Sequence, residues 1–537
     1  MGLNNIGGFA EVGSHLLKNK RWIRYSPLFN TLSTDASTSK PARKRSFNQP
    51  SLSESLPGLP NAIYSTVKAQ EQVTFVTRLQ NGLRVASENR FGQFCTVGVI
   101  INSGSRFEVA YPSGVSHFLE KLAFQSSSKF KNKAAILKEF EKVGGICDCQ
   151  CTRDAAIYAT SALRSGLDSV MNVIADGLFR PNITDEELAD AQQTIAFELE
   201  SLKSKPEQDL LLMDMIHAAA FRDNTVGLPK LCPEKNLYVI DKSVLFTFLK
   251  NHYSPTRMVV AGVGIDHDEL VNTVQKYFVD EDPVWEEHPE LIKTEKHFLP
   301  DDSVAQYTGG IIQEMCDIPQ FAGPSGLPEL AHVVIGLEGV SYNDEDFIPV
   351  CVLNMMMGGG GSFSAGGPGK GIFTRLYLNV LNKYHWIFSA TAFNHSYVDS
   401  GLFCVHVSAT PEHVGSMTEV IVKELTNMTT TVYVEELQRA KKQLQSMLLM
   451  NLESKPVIFE DIARQVLANG FRKQPDVYMR IIDRVTHGDI QRVARRLLSS
   501  PVSVAARGNI AKLPSYTDIQ SALTAHKFDN ERSFFSN

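Results

Sequence analysis

The chain reads EELADAQQTIAFELESLKSKP from Glu186 to Pro206 and EELQRAKKQLQSMLLMNLESKP from Glu435 to Pro456. Each stretch opens on Glu-Glu-Leu, acid placed where a helix N-terminus favours it, and closes on Ser-Lys-Pro, where proline blocks continuation. The spacing is 249 residues at the first glutamate and 250 at the proline, so one long helix is written twice. Upstream, TVGVIINSGSRFE from Thr96 precedes GVSHFLEKLAF, and HVVIGLEGVSYND from His332 precedes FIPVCVLNMMMGGGG, at a spacing of 236. Downstream, LFTFLKNHYSPTRMVVAGVG matches IQRVARRLLSSPVSVAARGN at a spacing of 246 between Pro255 and Pro501. Three pairs in one order define a duplicated unit of somewhat over 200 residues.

Alternating apolar strands such as TVGVII and RMVVAGV, with amphipathic helices between them, predict an α+β fold. The expectation is two homologous domains, each a mostly antiparallel sheet covered on one face by helices, forming a clam-like pair. The boundaries read as 66–281 for the first repeat and 303–537 for the second. The polar, Pro-bearing segment 282–302 reads as the connection between them, and the Ser- and Pro-containing residues 51–65 as a linker to what precedes.

Composition excludes several classes. Of 537 residues, 43% are hydrophobic and 21% charged, far from a disordered chain, and no apolar run reaches the roughly 18 residues of a membrane-spanning helix. The net charge of −6 argues against a general nucleic-acid binder. It is unevenly shared: residues 1–50 hold eight basic and two acidic side chains, a net +6, leaving −12 on the rest. That basic, Ser/Thr-containing opening, with Leu16, Leu17, Trp22 and Ile23 placed opposite cations on a helix, reads as a mitochondrial presequence spanning residues 1–50. Eight cysteines are too few for a disulfide scaffold, and CDCQC puts Cys147, Cys149 and Cys151 on one strand face against a core rather than around a metal.

Metal-dependent hydrolysis needs convergent ligands and a base beside the water. SHFLEKLAF offers His117 and Glu120 on one helical face, but the inverted zinc motif H-x-x-E-H requires histidine where Lys121 stands, and a protonated lysine repels a divalent ion. Glu198, in the first long helix, is the third ligand candidate. The repeat spacings carry His117, Glu120, Lys121 and Glu198 to Leu353, Met356, Met357 and Met447, and slipping the first three by one residue gives Val352, Met355 and Met356. One copy keeps three of four polar positions and the other none, so neither has a complete zinc site.

The two-copy design, HFLEKLAF with Glu198 downstream, CTRDAAIYA, GLFRPNITDEEL and HYSPTRMVVAGVG resemble the pitrilysin-type metallopeptidases with the inverted zinc motif, over about 470 residues. The resemblance, carried further by GGGGSFSAGGPGKGIFTRLYLNVLN, implies the non-catalytic member of a heterodimeric peptidase that removes basic presequences from imported mitochondrial precursors. It implies no cofactor in this chain and zinc in the β subunit, which would carry the full H-x-x-E-H. A matrix location follows, with attachment to an inner-membrane complex left open.

The glycine run comprises Gly358, Gly359, Gly360, Gly361, Ser362, Phe363, Ser364, Ala365, Gly366, Gly367, Pro368, Gly369, Lys370 and Gly371. It is not a phosphate loop, because Ser364 stands where G-x-x-x-x-G-K needs glycine and Gly371 where Ser or Thr should meet magnesium. Flanked by helical patterns, it reads as a mobile lid over a cavity, and the resemblance implies that it recognises presequences. Two alternatives remain: a structural core subunit of the ubiquinol–cytochrome c reductase complex, which has no need of a lid, and a self-sufficient zinc peptidase, which Lys121 opposes.

Overall fold

The computed structural model describes residues 72–222, 224–293, 298, 302–318, 328–361 and 371–525. The readings of residues 1–50 as a presequence and 51–65 as a linker lie outside the described residues.

The apolar runs form two six-stranded sheets. The first contains β1 (Phe75–Arg78), β2 (Arg84–Glu88), β3 (Phe94–Ile101), β4 (Ile146–Cys151), β5 (Ala156–Leu163) and β6 (Met258–Val263), in the order β1-β2-β6-β3-β5-β4. The second contains β7 (Gly310–Met315), β8 (Ala331–Glu338), β9 (Gly359–Gly361), β10 (Ile387–Ser396), β11 (Gly401–Ala409) and β12 (Ser503–Gly508), in the order β7-β12-β8-β11-β10-β9. In each sheet one pairing is parallel, β2 with β6 and β7 with β12, and the rest are antiparallel. Five strands correspond, β2-β6-β3-β5-β4 with β7-β12-β8-β11-β10. The first sheet adds β1 at one edge, and the second adds the glycine strand β9 at the other.

The first repeat carries α1 (Val115–Leu122), α2 (Lys133–Lys142), α3 (Leu167–Phe179), α4 (Asp185–Lys203), α5 (Asp209–Phe221), α6 (Lys242–His252) and α7 (His267–Val274). The second carries α8 (Phe347–Met357), α9 (Val414–Asn427), α10 (Val434–Asn451), α11 (Lys455–Asn469), α12 (Pro475–Arg484), α13 (His487–Leu498) and α14 (Tyr516–Ala525). The duplicated long helices are α4 and α10. Thr184 and Glu187 form a reciprocal capping box at the start of α4, satisfying N–H groups that a helix cannot satisfy internally.

Coverage differs from the one-faced arrangement expected. Each sheet has its own helices on one face and one helix of the other repeat on the opposite face. After the Ser-Lys-Pro stop, α5 crosses to β12, β7 and β8, while α11 crosses to β6, β3 and β2. The alternation of β3 serves both faces: Cys95, Val97, Val99 and Ile101 join the first repeat's core, and Ile100 joins Phe459 and Ile462 of α11 in the second's. Gly98 is required there, since a Cβ would lie 2.9 Å from the Phe459 ring and 2.1 Å from the Tyr158 carbonyl oxygen. Periodicity shows that a strand has two apolar faces but not which helix fills the second.

The described residues from 73 to 525 therefore form one compact unit. Ionic contacts fasten it: Arg106 grips Asp399 through two bonds of 3.0 and 2.7 Å, and Arg472 pairs with Glu88 while donating 2.8 Å to Asp461. The connecting segment is held on the first repeat, with Trp285 buried against Phe179 and Phe298 against Tyr111.

Candidate functional site

Helix α1 begins directly after Gly114, whose φ of +113° suits glycine. A Cβ there would lie 2.5 Å from Cys232 Sγ, so the missing side chain lets the Cys232 backbone approach the helix. The buried Glu108 carboxylate accepts from the Gly114 and Ser116 N–H groups, each at 2.6 Å, and caps the first turn. Burial pushes its pKa up to about 7 against these bonds, which favour the charged form.

Three of the four positions of the incomplete metal motif follow on this helix, and the fourth comes from α4. His117 is buried; its Nδ1 accepts from the Cys232 N–H at 3.1 Å. The ring proton is therefore on Nε2, which donates 3.3 Å to Glu198 Oε2. Glu120 Oε2 accepts from the Cys151 N–H of edge strand β4 at 2.9 Å. Lys121 Nζ stands between the carboxylates, 2.7 Å from Glu198 Oε2 and 3.3 Å from Glu120 Oε1. The His117 hydrogen bond, opposed by burial and reinforced by Lys121, draws the Glu198 pKa down to about 2. Burial pulls Lys121 down, but its two carboxylate partners outweigh that and raise it, so it stays an ammonium.

This donor set does not fit a zinc ion. One prospective ligand is a cation, the ring nitrogen facing Glu198 holds a proton, and both carboxylates are engaged. Nor is Glu120 free to serve as a base toward water. All four residues picked out from the sequence come together here, while Cys232, Gly114 and Glu108 escaped notice. Gly114 just before a helix was a detectable signal; nothing in the sequence pointed to Cys232, which arrives from a loop 115 residues away.

The equivalent pair in the second repeat is α8 against α10. Leu353, Met356 and Met357 are fully buried in its core, with half-buried Met447 packed against it. The cysteines of β4 pack Cys147 and Cys149 against the first core and bury Cys151, and burial raises the Cys147 and Cys149 thiols.

The glycine run starts as structure. Gly358 closes α8 at φ +56°, and Gly359, Gly360 and Gly361 pair as β9 with Thr391, Ala390 and Ser389. A Cβ on Gly359 would lie 2.0 Å from the Ala390 carbonyl oxygen, and one on Gly358 2.4 Å from Thr374 Cγ2. At the other end, the Gly371 carbonyl accepts from the Thr374 N–H at 3.2 Å. Both ends thus meet at Thr374. Ser362, Phe363, Ser364, Ala365, Gly366, Gly367, Pro368, Gly369 and Lys370 lie outside the described residues, and with them the reading of a lid.

Two related sheets, exchanged helices and a zinc motif with one ligand position replaced by lysine define a peptidase-derived fold. Residues 84–234 match the insulinase group of peptidase family M16, and residues 240–444 match the M16 inactive domain. The chain belongs to the M16 peptidase family. Within it, the chain is 52% identical to mitochondrial-processing peptidase subunit alpha of Homo sapiens over 476 residues, covering 88% of this chain and 89% of that protein. The Caenorhabditis elegans subunit alpha is 43% identical over 449 residues, covering 83% and 87%, and that of Solanum tuberosum 31% over 498 residues, covering 92% of each.

Proposed function

We propose that this chain is the presequence-binding, non-catalytic α subunit of a heterodimeric mitochondrial processing peptidase. A zinc-bearing β subunit would cut the N-terminal presequences of imported precursors. The observation that carries this is the Lys121 ammonium between Glu120 and Glu198. It neutralises the carboxylates that a metal would need and leaves the fold intact, as a subunit needs when its partner does the chemistry. In that partner, zinc would lower the pKa of a bound water and supply the nucleophile.

Binding is where this chain contributes. Outside the first fifty residues it carries −12, a field that attracts Arg-rich peptides and falls off with salt. The glycine edge strand has no side chains to obstruct an approaching backbone. The location is the mitochondrial matrix, with association to the inner membrane a variant of the same reading. Among the described residues no helix is long and apolar enough to cross a membrane.

The test is precursor cleavage by the purified chain, by a β subunit and by the two mixed, with zinc measured in each. Activity in the mixture alone, with zinc only in the β subunit, is the expected result. Deleting Gly358 to Gly371 is expected to weaken precursor binding while the heterodimer still assembles. Stoichiometric zinc and cleavage by this chain alone would overturn the reading.

A further inference from the structure

Beside the Lys121 cluster, and sharing Cys232 and helix α4 with it, lies a cleft of ≈ 350 Å³ where α4, α5 and the loop before Glu234 meet the second repeat. Its walls are Leu199, Leu211, Met215, Pro229, Leu231 and Pro233. The polar groups around it are already occupied. Asp214 takes Arg153 and the Lys230 and Leu231 N–H groups, Lys203 pairs with Glu234, and Arg507 pairs with Glu314. Among the described residues a bare ion would find no free partner, whereas an apolar side chain would find a mostly aliphatic wall.

The rim fixes what flanks that side chain. Lys203 and Glu234 are 47% and 62% exposed, and such a pair contributes little to stability, so its carboxylate can change partner at small cost. Arginine can hold a carboxylate with two parallel bonds where lysine offers a point charge, so an arriving arginine competes well. Glu314, 48% exposed on β7, keeps its pairing with the buried Arg507 and adds carboxylate charge to the rim from the other repeat.

We propose that this cleft is a specificity site that seats one or two apolar side chains of a basic, amphipathic peptide, with flanking arginines drawn to Glu234 and Glu314. The proposal rests on the presequence-binding reading and adds to it a place, apart from the glycine run, where the apolar face of the peptide is read. Met215 and Leu211, one turn apart on α5, select its size. Cys232 ties the cleft to His117 through its backbone, so occupancy and the Lys121 cluster share one wall.

The experiment uses the assembled heterodimer and a synthetic peptide bearing three arginines and a central leucine. Met215→Trp fills the cleft and is expected to raise KM about tenfold with kcat within about twofold, the loss of one buried aliphatic group. Leucine-to-alanine in the peptide should cost a similar factor with the unaltered heterodimer and almost nothing with Met215→Trp. Glu234→Gln should lessen the salt dependence of binding. A photo-crosslinking group at the leucine position should label Leu211 or Met215 of the unaltered protein, which keeps the test open if the variant does not assemble. Equal KM in Met215→Trp, or labelling elsewhere, would overturn the cleft while presequence binding stands. Absence of any peptide binding by the unaltered heterodimer would overturn both.

Discussion

Lys121 Nζ lies 2.7 Å from Glu198 Oε2, an ion pair where the inverted zinc motif would place a metal–ligand bond. One substitution therefore separates the donor set from a complete one. Lys121→His would leave His117, Glu198 and the introduced imidazole as possible ligands, with Glu120 beside them. His117 must then move its ring proton from Nε2 to Nδ1, which leaves the buried Cys232 N–H without its acceptor at a cost of about 1–3 kcal/mol. That is small beside the roughly 10–16 kcal/mol of a structural zinc site. Lys121→His is expected to raise the zinc content of the purified chain above that of the parent, measured by elemental analysis. No increase would mean that the helix pair is too constrained to close on a metal.

Glu198 gives the cluster a pH signature. Its folded pKa of about 2 lies below the usual 4.5, so its contribution to stability is present above pH 4.5 and is lost as pH falls toward 2. The side chain is 35% exposed, so solvent screening reduces that contribution to about 1 kcal/mol. Glu198→Gln should lower the Tm at pH 6, and the gap to the parent should narrow below pH 4.5 and close toward pH 2. A gap of constant size across that range would place the effect in packing.

The duplicated helix was legible because a shared Glu-Glu-Leu entry and Ser-Lys-Pro exit survive despite different residues between. The four positions of the degenerate zinc site were legible because ligand chemistry tolerates few residue types, so lysine at 121 and methionine at 356, 357 and 447 stand out. Long-range closure was not. The proline at 206 ends a helix in the sequence, but only the fold shows that α5 then crosses to the other repeat's sheet. The glycine run read as one loop, whereas Gly359–Gly361 begin it as a strand, because backbone pairing with Ala390 leaves no trace in side-chain pattern.

Acid should unfold the protein steeply. Burial holds His252 and His332 down at about 3 and His395 at about 4, all below the ordinary 6.5. Below pH 6.5 the unfolded chain binds protons that the folded chain refuses, so stability falls with pH, by up to about 1.4 kcal/mol per unit for each group. Among the described residues neither buried ring nitrogen of His252 has a hydrogen-bond partner, and the ring lies 4.4 Å from Phe248. His252→Phe removes an unsatisfied polar group and one proton-linked step. It should flatten the acid limb of the stability–pH curve and stabilise by about 1 kcal/mol at pH 7, read by urea unfolding.

The Arg472–Glu88 pair is fully buried between the repeats, and Arg472 also holds Asp461 at 2.8 Å. Arg472→Ala removes the buried cation shared by two carboxylates, leaving Glu88 with Arg90 and Asp461 with the Gln465 amide, and should cost about 3 kcal/mol. Arg480→Ala, at an exposed pair with Asp476, should cost under about 1 kcal/mol. Thermal unfolding of the two variants side by side checks the contrast. Similar losses would mean that water reaches Glu88 in solution.

Gly359 supplies the sharpest test of what the glycine strand does. Its φ of +106° is one that L side chains rarely adopt, and a Cβ would meet the Ala390 carbonyl oxygen at 2.0 Å. Gly359→Ala must therefore detach β9 from β10. The damage should stay at the edge, because β10 remains paired with β11 from Ile387 to Ser396. The Tm is then expected to fall by only a few degrees, while presequence affinity in the heterodimer drops severalfold if β9 sets the position of the run. Gly360→Ala, where a Cβ meets nothing within 4 Å among the described residues, is the comparison. Its φ of +158° also disfavours an L side chain, but the clash with the Ala390 carbonyl is absent, so binding should change less. Equal affinity in Gly359→Ala and the parent would mean that recognition does not depend on β9, and would shift attention to the cleft lined by Met215.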